Sequence, residues 1–376
     1  MSRLHDVAVV GAGPAGAMTA WQLASHGVSV ILLERKRIPR PKVCGGGLVW
    51  RARRMLPVQP DEVVLAECRQ AALFVDGMRF AASRNQPLVS MVRRDAFDAW
   101  LCAQACAAGA DLWQGFSVQA ADFEADAICL RDGERRVRAR LVVAADGAAG
   151  RMARLAGWPA HACAAPAVET EVAVDDETYA RFAGVARFDF DVPLRGYGWV
   201  FPRDGRLNVG LGMLAGRMPR GGLRARLGEY LAGLGLPWAD AHGFLIPLCA
   251  RRPCARNGVF LVGDAAGLAD PVTAEGISAA LRSAQLLARA MVQADLNPSQ
   301  TAAVYEQALG AELLREQRAA ARLAKVWYAS SRLRAWMLRK YGRRMCEGMA
   351  DVFMGNGSYH AYAQSFLRRL HPGLTG

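Results

Sequence analysis

The sequence predicts an α/β fold: a parallel-sheet domain interleaved with a mostly antiparallel sheet and followed by a helical C-terminal region. Three observations carry this expectation. A β-branched run, a glycine turn, a helix pattern and a second apolar run open the chain over residues 7–33. Two further buried-strand patterns, each ending in an aspartate, recur far downstream at Asp146 and Asp264. Between these patterns, period-two alternation of apolar residues marks short, half-buried strands.

The first element is Val7 to Val10, an apolar run suited to a buried parallel strand. Gly11, Gly13 and Gly16 follow as GxGxxG, with Ala15 inside the motif. The first glycine permits the turn, the second lets backbone approach a pyrophosphate, and the third lets the helix pack on the strand. The helix N-terminus adds N–H donors and a positive dipole for phosphate. Gly27 ends the helix, and Val28 to Leu33 form the second strand. Glu34 closes that strand, placed to accept hydrogen bonds from a ribose, with Arg35 beside it. These flanking elements make a Rossmann-type dinucleotide site. They do not by themselves separate FAD from NAD.

Two distant stretches and one strand-to-helix segment complete the pattern. "RVRARLVVAADGAAGRMAR" is a charged turn, a buried strand and Asp146-Gly147. "GVFLVGDAAGLADPVTAEGISAALRSAQLLARA" is a buried strand ending at Gly263-Asp264, a turn containing Pro271, and a long helix opening at Gly276-Ile277. "VRRDAFDAWL" carries Arg94 into a helix. With these motifs in this order, the sequence resembles the flavoprotein group built like para-hydroxybenzoate hydroxylase.

That resemblance implies FAD as cofactor. It places Asp264 on the ribityl chain and the N–H groups of Gly276 and Ile277 at the N1/C2=O edge. A helix N-terminus there stabilises the negative charge of reduced flavin. It puts Arg94 near the phosphates or ribityl, Val118 near adenine through its backbone, and Asp146, Gly263 and Pro271 in the cofactor set. Two positions depart from the group's pattern: Gly150 stands where serine is common, and Ala274 replaces the first glycine of the usual TGEGI.

Within this group, "CGGGL" (Cys44 to Leu48) and "GYGWVFP" (Gly196 to Pro202) resemble the geranylgeranyl reductase family, as does the tail "VFMGNGSYHAYAQSFLRRL". The resemblance covers essentially the whole chain. It implies that Cys44, Gly45, Gly46 and Gly47 lie against the isoalloxazine and the substrate. Tyr197, Trp199, Phe201 and Pro202 would wall an apolar cavity. Such enzymes reduce isolated C=C bonds of prenyl chains, on a polyprenyl diphosphate, a prenylated quinone or another isoprenoid lipid. Cys44 and Tyr197 are the candidates for the catalytic proton. Each also has a plain structural role open to it: a small residue under the cofactor, and sheet-core packing.

Two other functions share the scaffold, because fold does not fix function. One is a flavin monooxygenase or halogenase acting on an aromatic compound or protein side chain. The other is a non-catalytic flavin-binding partner protein. The external reductant stays open among NAD(P)H, ferredoxin, quinol and reduced flavin, which leaves room for a redox partner protein. Gly210-x-Gly212 sits in a strand pattern, so no second nucleotide domain is expected.

Residues 1–60, 90–160 and 250–300 are expected to build the FAD domain, with 116–143 as an attached β-meander. Residues 61–89 and 161–249 supply the substrate sheet, and 301–376 the helical region. The chain has nine cysteines but no CxxC and no zinc-like spacing. A reduced, cytoplasmic protein without disulfides or metal is therefore expected. The net charge of +13 favours anionic partners. No zinc-finger or RNP-type motif is present, so nucleic acid is not expected. After Glu316 no acid appears until Glu347, and Trp327, Tyr328 and Trp336 interleave with Arg and Lys. This basic stretch suits a helix on an anionic membrane's inner face, or one packed on its own protein with a solvated basic side.

Overall fold

The computed structural model describes residues 3–192 and 195–370, with the side chains of 365–370 left aside. The last six residues of the expected helical region lie outside the described residues. The buried run at the N-terminus forms the central strand Leu4–Val10 of an eight-stranded sheet. Parallel to it run Val30–Glu34 on one side and Arg135–Ala144 on the other. Val259–Leu261 extends the parallel order beyond Arg135–Ala144, and Asp111–Gln114 beyond Val30–Glu34. The expected meander is present as Ala120–Phe123 and Ile128–Asp132, paired antiparallel onto the long strand.

The helix Pro14–Ala24 follows the glycine turn and is buried almost all round. It packs against the helices Arg94–Ala107 and Ile277–Gln293. Gly16 makes the close approach possible: a Cβ there would lie 1.9 Å from the Gly11 carbonyl oxygen. Trp21 meets Trp100 edge to face with centroids 6.1 Å apart, which fixes the helix pair.

The second sheet has seven strands, in the order Ala241–Pro247, Ala164–Ala173, Arg206–Met213, Gly196–Arg203, Val185–Asp189, Gln70–Val75 and Met78–Ser83. All its pairs are antiparallel except Val185–Asp189 with Gln70–Val75. The stretches whose alternation marks strands, 70–82, 167–174, 186–192, 197–202 and 206–214, all lie on strands of this sheet. A third, three-stranded sheet pairs Gly47–Val49 and Val64–Cys68 with Val89–Val92. It stitches residues from both sides of the expected boundary near residue 60.

The C-terminal region is helical, as expected, but the long basic stretch is broken. Arg315–Trp327 ends at Tyr328, and Ser330 caps Ser331–Met354 through its hydroxyl to the Leu333 N–H. Trp327, Tyr328, Arg334 and Leu338 are buried, while Val326, Leu333, Trp336 and Tyr341 are exposed. No described helix is long and apolar enough to cross a membrane.

One sequence expectation is corrected. Cys163 and Cys249 form a disulfide, with Cα atoms 5.6 Å apart. They flank the antiparallel pair Ala164↔Pro247, and the Leu248 N–H bonds the Cys163 carbonyl at 3.2 Å. The ladder brings together two residues 86 positions apart, a relation invisible in their spacing. The other seven cysteines are free, and all but Cys44 and Cys106 are buried.

Candidate functional site

A cavity of about 370 Å³ runs between the two large sheets. One end is a phosphate-type cradle. Gly13 presents bare backbone there: a Cβ would point into space bounded by Arg94 Nη2 at 3.8 Å and Arg40 Nη2 at 4.0 Å. Both cations are fixed by Asp98, which is completely buried. Arg94 binds it bidentately at 2.8 and 3.0 Å, and Arg40 adds a bond of 2.9 Å. Burial opposes the charge on Arg94, yet Asp98 and Cys44 more than restore it and hold the group above its usual range. Sequence reading found Arg94 but missed Arg40 and Asp98. The i,i+4 pairing of Arg94 and Asp98 on one helix face was the available signal.

Glu34 is buried at the end of its strand. Its carboxylate accepts from the Ala12 N–H at 3.1 Å and the Lys36 N–H at 3.0 Å, and pairs with Arg40 at 3.2 Å. A carboxylate has about four acceptor positions, so capacity remains for a ligand hydroxyl. Arg35 and Val118 also line this end.

Asp146 explains the departure at Gly150. A Cβ on Gly150 would fall 2.2 Å from the Asp146 carboxyl carbon, so serine cannot stand there with Asp146 in this position. One Asp146 oxygen accepts the Met152 N–H at 2.9 Å; the other is buried and unpartnered. Burial pushes this carboxyl above its ordinary range, against those N–H bonds. A buried acceptor without a donor is costly, and a ligand hydroxyl would satisfy it.

Asp264 faces the N-terminus of the helix Ile277–Gln293. A Cβ on Gly276 would lie 3.2 Å from Asp264 Oδ1. Burial raises the Asp264 carboxyl, opposed by Lys42 and Arg94. No described residue donates a hydrogen bond to it, so it too is ready for a ligand hydroxyl. Gly276 and Ile277 line the cavity as expected. Gly16 and Gly263 do not: both are packing glycines, Gly263 with its Cβ direction 3.0 Å from Ala15. Pro271 lines a separate cavity behind the loop.

The other end is aromatic. Tyr197, Trp199 and Phe201 alternate on one face of their strand and reach the cavity, joined by Phe188 and Phe353, which sequence reading missed. Neighbouring ring centroids along this wall lie 5.6 to 6.3 Å apart. Pro202 belongs to the alternate face and is not part of the wall, a correction that follows from strand period two. The Tyr197 hydroxyl donates to the Thr273 carbonyl and ties the wall to the 270–277 loop. Burial pushes its ionisation well up.

The Cys44–Gly47 loop lies between the two ends. Its glycines answer to the protein as much as to any ligand. Gly45 sits with its Cβ direction 3.2 Å from the Phe201 ring. Gly46 has φ +65°, and a Cβ on it would lie 2.2 Å from the Val92 carbonyl oxygen. The Cys44 N–H donates to Glu169 Oε1 at 2.7 Å, and Arg203 donates to the carbonyls of Cys44 and Gly45. No cluster able to hold a metal ion occurs among the described residues.

Comparison with known proteins agrees with this architecture. The lycopene cyclase protein family matches residues 6–349. Digeranylgeranylglycerophospholipid reductase 1 of Methanopyrus kandleri is 33% identical over 317 residues, 77% of this chain and 80% of that protein. Among solved structures, a geranylgeranyl bacteriochlorophyll reductase-like protein from Thermoplasma acidophilum superposes with a TM-score of 0.81 at 23% identity, covering 93% of this chain and 92% of the other. A flavin-dependent brominase superposes with a TM-score of 0.74 at 16% identity, covering 98% and 100%. The last two likenesses speak for the fold. The chain therefore belongs to the lycopene cyclase-like family and is a relative of the digeranylgeranylglycerophospholipid reductases.

Proposed function

We propose that the cavity holds FAD and that the protein reduces isolated double bonds in the prenyl chain of an isoprenoid lipid. One observation carries this reading: a cationic glycine cradle and a wall of aromatic rings share one cavity. When bound and reduced, FAD would supply a hydride to one alkene carbon. Arg40, Arg94 and the N-terminus of Pro14–Ala24 would take the pyrophosphate, Glu34 the ribose, and Asp146 and Asp264 hydroxyls of the cofactor. The N–H groups at Gly276 and Ile277 would face the ring edge.

The remaining work belongs to the wall and the loop. An isolated alkene has no carbonyl to accept charge, so a proton must reach the second carbon as cationic character develops. Tyr197, Trp199 and Phe201 orient the chain and keep water out. Tyr197 spends its proton on the Thr273 carbonyl, and burial makes it a weaker acid. Cys44, which lines the cavity, is the better-placed donor.

Exposed Leu323, Val326, Leu333, Trp336 and Tyr341, interleaved with arginines and lysines, support contact with an anionic membrane where such lipids reside. The electrons would come from NAD(P)H, ferredoxin or reduced flavin.

The test is anaerobic. Dithionite-reduced protein is mixed with a geranylgeranylated lipid or prenylquinone, reoxidation is followed by absorbance, and the product is weighed by mass spectrometry. Reoxidation with a gain of two hydrogens is expected. Reoxidation only on admitting oxygen, with an oxygenated product, would turn the assignment to a monooxygenase. Replacing dithionite with NADPH or reduced ferredoxin then reads the donor.

A further inference from the structure

Asp270 and Glu275 flank the tight turn that leads into the helix Ile277–Gln293. Among the described residues, Arg51 is the one cation within ion-pair distance of either acid. Its Nη2 binds Glu275 Oε2 at 2.9 Å and stands 3.8 Å from Asp270 Oδ2. Its Nε donates to the Ser278 hydroxyl at 3.1 Å. Glu275 in turn accepts the Ser278 N–H at 2.7 Å through its other oxygen. Arg51 therefore grips the start of the helix at two points, a carboxylate just before it and a hydroxyl in its first turn.

Arg51 comes from a distant part of the chain. It lies in the short helix Trp50–Arg53, directly after the strand Gly47–Val49 that continues the Cys44–Gly47 loop. Glu275 lines both the main cavity and the separate cavity behind the loop, whereas Arg51 lines only the second. The carboxylate is thus a partition backed by a guanidinium. Burial opposes the charge on Arg51, yet Glu275 and Asp270 more than restore it. The turn itself needs a hold. Ala274 has φ +56°, in the left-handed region that a β-carbon disfavours. Gly276 stands at the helix cap and has no side chain to meet the first N–H groups. Asp270 supplies one support, accepting the Val272 N–H at 2.8 Å and the Thr273 N–H at 3.2 Å. Arg51 supplies the other, at the helix end of the turn.

We propose that Arg51 is a positioning residue that, through Glu275 and Ser278, fixes the direction of the N–H groups of Gly276 and Ile277 and so sets how strongly the site favours negative charge on its cofactor. The inference rests on the proposed function, in which those N–H groups face the flavin ring edge. Donors stabilise developing charge when they are held in place beforehand. Reduced flavin carries negative charge at that edge, so a loosened turn disfavours the reduced form. The fork of the side chain matters beside its charge. Arginine presents Nε and Nη2 in one rigid plane, one for the hydroxyl and one for the carboxylate. Lysine offers a single point charge on a flexible stem.

The experiment compares the full chain with Arg51→Lys and Ser278→Ala. The flavin midpoint potential is read by spectroelectrochemical titration of the FAD-loaded protein. Hydrogen exchange is read by peptide-resolved mass spectrometry on the flavin-free protein. Arg51→Lys keeps the counter-charge of Glu275 and Asp270, so its urea midpoint should stay near that of wild type. Its ratio of reduced to oxidised flavin at a fixed potential should nonetheless fall about tenfold, the factor expected when a hydrogen bond to a charged group is lost. For a two-electron couple that is a potential lower by about 30 mV. Exchange in residues 275–280 should rise, while exchange near Gly13 stays unchanged. Ser278→Ala removes one point of the grip and should shift the potential the same way by less. A lysine variant with the wild-type potential would make Arg51 a plain counter-ion and overturn the proposal. Unchanged exchange in residues 275–280 would overturn it as well. Protein that takes up no FAD would instead fail the proposed function, and the exchange measurement, which needs no flavin, still judges the grip.

Discussion

At the residue scale, the cradle depends on a carboxylate that contacts no ligand. Asp98 holds both Arg40 and Arg94, and it lies wholly inside the protein. Removing one partner of a buried ion pair leaves uncompensated charge and costs about 3–5 kcal/mol. Asp98→Ala should lower the urea midpoint accordingly and leave purified protein nearly colourless. Asp98→Asn, which keeps the shape, should recover stability in part but still bind flavin weakly. Flavin content equal to wild type in either variant would remove Arg40 and Arg94 from the phosphate role. Gly46 is the second sensitive position. Alanine there meets φ +65° and the Val92 carbonyl together. Backbone strain alone costs roughly 1–3 kcal/mol, and the overlap must push the loop off the aromatic wall. Gly46→Ala should therefore melt earlier and alkylate faster at Cys44. Gly45→Ala, at a distance of 3.2 Å from a ring that can shift, should lose less.

At the element scale, the C-terminal helices act as a brace behind the loops proposed to hold the cofactor. Tyr305 donates to the Leu261 carbonyl at 2.8 Å, Gln317 to that of Gly267 at 2.7 Å, and Tyr328 to that of Val272 at 2.7 Å. Tyr359 reaches Asp270 at 2.9 Å. Each bond fixes the backbone or a side chain of the segment that carries Asp264 and Gly276. Tyr328→Phe should cost about 1 kcal/mol and raise hydrogen exchange in residues 268–276, while leaving exchange near Gly13 unchanged. Uniformly raised exchange would deny the brace. This role was not legible in the sequence. Motif spacing revealed the strand–turn–helix around Gly11 and the acid at Asp264, because those contacts are local or repeat a fixed pattern. Alternation likewise showed the strands of the second sheet. Pro202 was assigned with its motif, although its own parity places it on the far face. The Cys163–Cys249 bridge, the Cys44–Glu169 bond and the tyrosine brace join residues far apart in sequence. Only the sheet register and the helix docking bring them together. The basic stretch divides between two faces: Arg334 and Trp327 turn inward, and Trp336 faces out.

At the scale of the whole molecule, four buried carboxyls store an electrostatic cost, and at the two that line the cavity, Asp146 and Asp264, a ligand would relieve it. Asp146, Glu169, Asp264 and Asp270 are all raised above the ordinary carboxylate range, in each case chiefly by burial. Between that range and their folded values, the folded chain holds more protons than the unfolded one. Stability of the flavin-free protein is then full at acid pH and falls as pH rises through the folded values. His161 works in the opposite sense. Burial, helped by Arg251, lowers it from 6.5 to about 4, so its contribution is lost as pH falls through that window. The two contributions therefore oppose each other above the ordinary carboxylate range: the carboxyls lower the urea midpoint of flavin-free protein as pH rises, while His161 raises it up to pH 6.5. Glu169→Gln removes one of the four carboxyls without removing its acceptor oxygen. It should weaken the fall with rising pH, whereas His161→Leu should remove the opposing rise. A wild-type midpoint that climbs steadily with pH would mean that these carboxyls are paired and ionised in the folded state. The cavity would then already be electrostatically satisfied, with no demand left for a cofactor's hydroxyls to meet.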